Sequence, residues 1–316
     1  MRKVVVVGEI LAEIMATEPG DGFDAPMALV GPYPSGAPAI FIDQVARMGQ
    51  PCAIVSAVGN DAFGKLNLDR LATDGVDTSG IHTDDDRPTG TAFVRYRPDG
   101  ARDFVFNIRH SACGHISDGP ATRQALDSAD HFHVMGSSLS SPEVVRLNVE
   151  TVNAVKARGG SVSFDPNLRA ELLDAPGLRE AMTHILALTD LFLPSGDELT
   201  QMTGANTPAE AVAKLLKSGV KAIVHKRGTD GVAYFDAQTE QQGASFIVEE
   251  VDPTGAGDCF GGAFVALWLR GMDIAEALTL ACAAGARSVT RRGPMEGAAT
   301  LEELRDFART TERRGQ

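Results

Sequence analysis

No stretch of this 316-residue chain reaches the roughly 18 to 20 consecutive apolar residues that a membrane-spanning helix needs. The apolar run near its start, in Met1-Arg-Lys-Val-Val-Val-Val-Gly-Glu9, is only four valines long and is followed by Glu9 and Glu13. A secretory leader needs a longer apolar region and a small-residue cleavage site, so the run reads as a strand of a soluble, cytoplasmic protein. Cysteine is scarce: Cys52, Cys113, Cys259 and Cys282 stand far apart without a CxxC pair, which excludes a disulfide framework and predicts free thiols. Basic residues are outnumbered, 29 Lys and Arg against 42 Asp and Glu, for a formal net charge of −13. Nucleic acid and anionic membranes both attract basic surface, so neither is an expected partner. The seven histidines include no HExxH or other ligand spacing; His131 and His133 alternate along one strand-like run and read as fillers rather than metal ligands. Asp84-Asp85-Asp86 reads as a solvated turn.

What is present is an ordinary globular composition, 43% hydrophobic, with no low-complexity linker and no internal repeat. The expectation is one domain over 1–316. Val4–Val7 is β-branched throughout and ends at Gly8, the mark of a buried strand. Pro38–Gly49 carries Ile42, Val45, Ala46 and Met48 at helical spacing and closes on Gly49. Pro51–Val58 is a strand and Asp61–Leu71 a helix, and the alternation resumes in strands His131–Met135, Gly160–Phe164, Leu191–Leu193 and Ala222–His225. Helical runs Pro142–Ala157, Leu178–Thr189 and Ala209–Ser218 lie between or beside them. Such alternation predicts an α/β sandwich, a parallel sheet covered by helices. Gly90–Arg97 and Ala101–Arg109 flank Pro98-Asp99-Gly100 as a strand–turn–strand unit, read as part of a β lid built from about 11–35 and 88–111. Ala244–Val251 reads as a further strand.

That strand leads into Asp252-Pro253-Thr254-Gly255-Ala256-Gly257-Asp258, which opens an apolar helix over Cys259–Leu269. Small residues at 255–257 let backbone N–H groups converge, and the helix N-terminus adds its positive end, a hole for a transferring phosphate. Asp258 sits in the first turn, where a carboxylate repels a bound anion unless it has chemistry to do. Accepting the proton of an attacking hydroxyl is the chemistry that fits. Gly59-Asn-Asp-Ala-Phe-Gly64-Lys65-Leu66 is no P-loop, because Leu66 replaces the hydroxyl that would bind Mg²⁺. Gly255-Ala-Gly257 is no dinucleotide fingerprint either, since Asp258 would face the pyrophosphate and the remaining chain is too short for a Rossmann unit.

The seven-residue string resembles the C-terminal signature of the PfkB, or ribokinase-like, carbohydrate kinases. Gly31-Pro-Tyr-Pro-Ser35-Gly36-Ala37-Pro38-Ala39 with Val45-Ala46-Arg47-Met48-Gly49 resembles their first signature, and Val58-Gly59-Asn60-Asp61-Ala62-Phe63-Gly64 their VGxDxFG element. Asp165-Pro166-Asn167-Leu168-Arg169 resembles the DPNxR stretch of the 2-keto-3-deoxygluconate kinase and fructokinase branch, and the string from Ser35 to Cys52 is similar to bacterial tagatose kinases. The resemblance implies a three-layer α/β/α sandwich with a β lid, which in such folds can dimerise. It implies ATP with Mg²⁺ and phosphorylation of a primary hydroxyl on a ketohexose (tagatose or fructose) or 2-keto-3-deoxygluconate. A nucleoside kinase, with Tyr33 and Phe41 as stacking platform, and a non-catalytic sugar sensor remain open alternatives.

By the same resemblance, Asp258 is the base, the amides of Gly255, Ala256 and Gly257 form the anion hole, and Arg169 meets substrate or phosphate. Glu13, Gly36, Ala37, Asp165, Asn167 and Asp258 bind substrate, with lid residues Arg97 and Arg109 as further contacts. Ser195, Glu198, Lys226, Gly228, Gly231, Gly255 and Gly257 face ATP, with Glu198 linked to the magnesium-bound phosphates. Asp252 and Thr254, with carbonyls around Ser288 and Arg291–Gly293, hold a monovalent cation such as K⁺ in relatives that use one. The chain departs from the pattern at Ile40, where relatives often carry Asn, at Ser195, where NxxE has Asn, and at Glu13, where they carry Asp. These departures bear on the substrate and leave the reaction type alone.

Overall fold

The computed structural model describes residues 1–99, 101–168 and 177–315. Its strands are β1 (Val4–Val7), β2 (Leu11–Ala16), β3 (Leu29–Ser35), β4 (Cys52–Gly59), β5 (Ile81–Asp84), β6 (Gly90–Tyr96), β7 (Arg102–Asn107), β8 (His131–Met135), β9 (Ser161–Asp165), β10 (Leu191–Phe192), β11 (Ala222–Lys226), β12 (Val232–Asp236) and β13 (Glu240–Gly243). Its α-helices are α1 (Ala37–Arg47), α2 (Ala62–Thr73), α3 (Pro120–Asp127), α4 (Pro142–Ala157), α5 (Leu178–Leu188), α6 (Glu198–Thr203), α7 (Pro208–Ser218), α8 (Ala256–Leu269), α9 (Ile274–Ser288) and α10 (Leu301–Thr310). The large sheet runs β13-β12-β11-β10-β9-β8-β1-β4-β5, and a small sheet runs β3-β2-β6-β7.

β1 lies between β4 and β8, parallel to both. Its valines alternate between two cores: Val4 and Val6 pack with α1, α8 and α9, whereas Val5 and Val7 pack with α3, α4, α5 and α7. A strand covered on both faces has no use for polar alternation, which is why four valines in a row suit it. The sheet is parallel from β5 to β11 and then reverses, β12 and β13 pairing antiparallel. The links from β11 to β12 and from β12 to β13 are too short for a helical crossover, so a hairpin is the only geometry open to them.

The expected strand over Ala244–Val251 does not form. β13 is the edge of the sheet and ends at Gly243, and the chain beyond it finds no neighbouring strand. Its backbone bonds go elsewhere: Ile247 N–H to Glu312 O, Arg314 N–H to Ser245 O, and Val251 N–H to Val289 O. In the small sheet, β2 pairs parallel with β6 and antiparallel with β3, and β6 pairs antiparallel with β7.

α8 lies directly against α1. A Cβ on Gly262 would come within 2.5 Å of the Phe41 carbonyl oxygen, so only glycine permits this approach. Phe41 is fully buried and stacks on His133 of β8, ring centroids 3.7 Å apart. The strand histidines are core: His131 bonds Ser161 and Ser163, and His133 bonds Ser163. Burial pushes the His131 pKa down to about 3 and that of His133 well below the ordinary value, so both stay neutral. The four cysteines are free and buried. Replacing Phe41 by Ala removes the ring at the α1–α8–β8 junction; urea unfolding should read a loss of about 3–5 kcal/mol.

Candidate active site

The turn into α8 is set by Gly255, whose φ of 84° places it in the left-handed region. A Cβ there would also stand 2.7 Å from the Pro294 carbonyl oxygen and 3.2 Å from Ile40 Cγ2. Ile40, the departure noted in the sequence, thus packs under the turn. The N–H groups that open a helix have no intrahelical acceptor, so those at the start of α8 point outward with the positive end of the helix dipole. Asp258 stands in this first turn and is buried. Asn167 Nδ2 donates to Asp258 Oδ1 at 3.4 Å. Asn167 holds φ 38°, a conformation Asn tolerates better than most residues, and its own N–H donates to Asp165 Oδ1.

Asp165 closes a buried ion pair with Lys226. Burial opposes the charge on Lys226, but the Asp165 and Glu198 carboxylates outweigh it and raise the lysine pKa. The Glu198 pKa is raised by burial and by the Asp165 charge, against the pull of Lys226. Both Glu198 oxygens accept backbone N–H bonds, Oε1 from Leu168 and Oε2 from Ser195, each at 2.7 Å. Glu198 therefore clasps the loop that follows β9 to the loop that follows β10. Lys226, Gly228, Gly231, Ala256 and Gly257 line a cavity of about 420 Å³ whose wall continues through Val232, Phe260 and Val289. That volume and mixed lining suit a small organic ligand.

A second cluster forms where the small sheet meets the motif. Asp252 is almost fully buried; its Oδ1 accepts from Thr254 N–H and from the Tyr96 hydroxyl of β6, and its Oδ2 accepts from Gly293 N–H at 2.9 Å. The Tyr96 hydroxyl also lies 2.9 Å from Thr254 Oγ1. Glu13, on β2, is 3% exposed, and its Oε2 accepts from Ser35 Oγ at 2.7 Å. Its Oε1 makes no hydrogen bond among the described residues. Burial pushes the Glu13 pKa up to about 7, with the Asp252 charge acting the same way; Ser35, Arg102 and Thr254 oppose the shift without cancelling it. Gly36 caps α1, and Ala37 begins it, immediately after the Ser35 that holds Glu13.

The structure thus gathers Asp165, Asn167, Glu198, Lys226 and Gly255–Asp258 into one group, and Glu13, Asp252 and Thr254 into another that shares the same loop. Arg97 does not join them. It is exposed and pairs with Asp103, which strand alternation puts on the face of the small sheet opposite Glu13. Arg109 is exposed beside a different cavity, of about 530 Å³, with Asp61, Phe63 and His110. Arg169 lies outside the described residues. Two residues escaped the sequence reading, Tyr96 and Arg102. They are cross-strand partners, and register puts both on the Glu13 face. The turn at Pro98-Asp99 carries the signal: strands counted outward from it pair 96 with 102. Phe41 is core and offers no free aromatic face, whereas Tyr33 is half-buried with one ring edge against Gly293.

A profile of the pfkB family carbohydrate kinases matches residues 1–301. Fructokinase-1 of Zea mays is 31% identical over 313 residues, covering 95% of this chain and 96% of that one. An Escherichia coli protein with the provisional name ribokinase II is 50% identical over 98% of this chain and 99% of its own; the TM-score is 0.93 for its apo form and 0.91 for its complex with ATP and Mg²⁺. A fructokinase double mutant of Vibrio cholerae O395, solved with fructose, ADP and potassium, is 25% identical with a TM-score of 0.83, over 98% of both chains.

Because Gly255 has no room for a side chain and a left-handed φ, Gly255→Ala should cost about 1–3 kcal/mol of stability in denaturant titrations.

Proposed function

The chain belongs to the pfkB family of carbohydrate kinases, and on that premise we propose that it transfers the γ-phosphate of ATP to a primary hydroxyl of a ketohexose, tagatose or fructose. The observation that carries the reading is the position of Asp258. It is a buried carboxylate at a helix N-terminus, oriented by Asn167, next to the Ala256 and Gly257 wall of a cavity large enough for a nucleotide. In this role Asp258 takes the proton of the sugar hydroxyl as its oxygen attacks phosphorus. The Gly255–Gly257 turn and the α8 N-terminus meet the charge spreading over the phosphoryl oxygens. Lys226, held charged by its carboxylate neighbours, stands beside the same turn, 3.7 Å from where a Gly257 Cβ would be.

Mg²⁺ supplies charge neutralisation on the phosphates. The donor set fits an ion carried mainly by those phosphates: Glu198 is engaged by two amides and Asp165 by Lys226, so Glu198 would meet it through water. Asp252 already accepts three hydrogen bonds, so a K⁺ ion would draw chiefly on the carbonyls of 288–293, with Asp252 and Thr254 at its side.

Glu13 supports a polyol substrate, since a buried carboxylate with an unused oxygen is a ready acceptor for sugar hydroxyls. A sugar acid such as 2-keto-3-deoxygluconate is the second reading, favoured by one observation: Arg102 shares the Glu13 face. Self-association through the small sheet is supported by its exposed Leu29, Val105 and Phe106.

An ATP-consumption screen over ketohexoses, 2-keto-3-deoxygluconate, ribose and nucleosides tests the assignment; turnover with nucleosides alone would overturn it. Asp258→Asn should lower kcat by about 10²–10⁴ while sugar binding survives, and unchanged turnover would remove Asp258 from its role. Protonated Glu13 accepts sugar hydroxyls poorly. With its pKa near 7, kcat/KM for the sugar should therefore fall severalfold from pH 8 to pH 6, and Glu13→Gln should flatten that profile.

A further inference from the structure

The 420 Å³ cavity has one wall that the catalytic motifs do not supply. Ser245, Phe246 and Val248 form it, on the stretch that leaves the sheet after β13. That stretch is held by the segment following α10: Phe246 and Arg313 form an antiparallel bridge, Ile247 N–H donates to Glu312 O at 2.8 Å, and Arg314 N–H donates to Ser245 O at 2.9 Å. Phe246 is buried edge-on against Phe307 of α10, ring centroids 5.5 Å apart, and the Arg313 guanidinium lies 5.3 Å above its ring. The next residue, Arg314, lines the cavity itself; it is exposed at the rim and has no carboxylate partner among the described residues.

The cavity has two ends. One is the phosphate end, where Gly257 meets Lys226 and where Gly285 of α9 stands against Ala256. The other lies one turn of α9 away, at Cys282, whose sulfur lies 3.7 Å from where a Gly243 Cβ would be. Ser245 follows Gly243, and Arg314, whose N–H donates to Ser245 O, stands beside it at this second end. Its lining is apolar, Val232, Phe246 and Cys282, as the faces of a heteroaromatic base require. Arg313 also acts on Cys282, opposing the rise in the thiol pKa that burial causes, which places the tail segment at this end.

We infer that Arg314 is a nucleotide-binding residue whose guanidinium covers the base of the bound nucleotide at the rim of the cavity, with residues 312–314 acting as the strap that holds the base-side wall. The inference rests on the nucleotide reading of the cavity proposed above. A planar guanidinium suits this position, because it stacks on a π-face and is weakly hydrated, so little is lost in covering a base.

The test is titration of wild type, Arg314→Ala and Arg314→Lys with ATP and, separately, with adenosine, by competition against a fluorescent ATP analogue. Arg314→Ala should weaken ATP and adenosine by the same factor, about tenfold, the scale of one contact to a charged group. Arg314→Lys should recover part of the loss, and the KM for ATP should rise by the same factor as the affinity falls. Arg313→Ala, which loosens the wall, should weaken both ligands without removing a group that touches them. Unchanged ATP affinity in Arg314→Ala would overturn the inference. So would a loss confined to ATP with adenosine unaffected, because that is the mark of a phosphate contact. Failure of wild type to bind ATP at all would sink the nucleotide reading itself and this inference with it.

Discussion

Everything in the site depends on how closely α8 approaches α1. Each of these helices begins at a glycine turn of the candidate site, α1 at Gly36 and α8 at Gly255, and the turns are as well placed as the helices behind them are packed. Two contacts set the spacing: the Gly262 backbone under the Phe41 carbonyl, and Ile40 beneath the Gly255 turn. Phe41 in turn is braced by His133 on β8. A ring stacked on a buried imidazole is therefore part of the machinery that keeps two helix N-termini side by side, though it touches no ligand. Close packing transmits displacement, so a methylene added at Gly262 would be felt at both loops.

The electrostatics of the site invert what a net charge of −13 suggests for a protein that handles phosphate. Asp165, Asp252, Asp258 and Glu13 are all buried, with Lys226 the buried cation near them. Most of the compensation is neutral: amides of Asn167, Thr254 and Gly293, the side chains of Asn167, Ser35 and Tyr96, and the open end of α8. Donors of this kind stabilise charge without carrying any, and they are fixed by the fold rather than by flexible side chains. The acidic total thus describes the surface and leaves the cleft free to receive a polyanion.

Much of this was legible in the chain, for reasons that differ from place to place. β1 and α1 were readable because burial on two faces and burial on one stripe leave different periodicities. The motif at 252–258 was readable because a left-handed glycine, a helix start and a carboxylate in the first turn constrain residue types together. Ala244–Val251 misled because residues suited to an extended chain say nothing about whether a partner strand lies beside them. Arg97 and Arg109 were expected as lid contacts; the face of a strand is fixed by register, and register across β6 and β7 puts Arg102 rather than Arg97 on the Glu13 face. Tyr96 was passed over because a single tyrosine in a strand carries no motif, and only the fold brings it to a loop 156 residues away.

Tyr96 also gives the small sheet a mechanical character. Its hydroxyl joins β6 to Asp252 and Thr254, and Asp252 is joined in turn to Gly293. Such an attachment is made or broken; it does not stretch. Without the Tyr96 hydroxyl, Asp252 would lose a donor, and a carboxylate sealed in protein would need water in its place. Together with Tyr33 packed against Gly293, this bond ties the small sheet to the loop that leads into Asp258, so the two share one position.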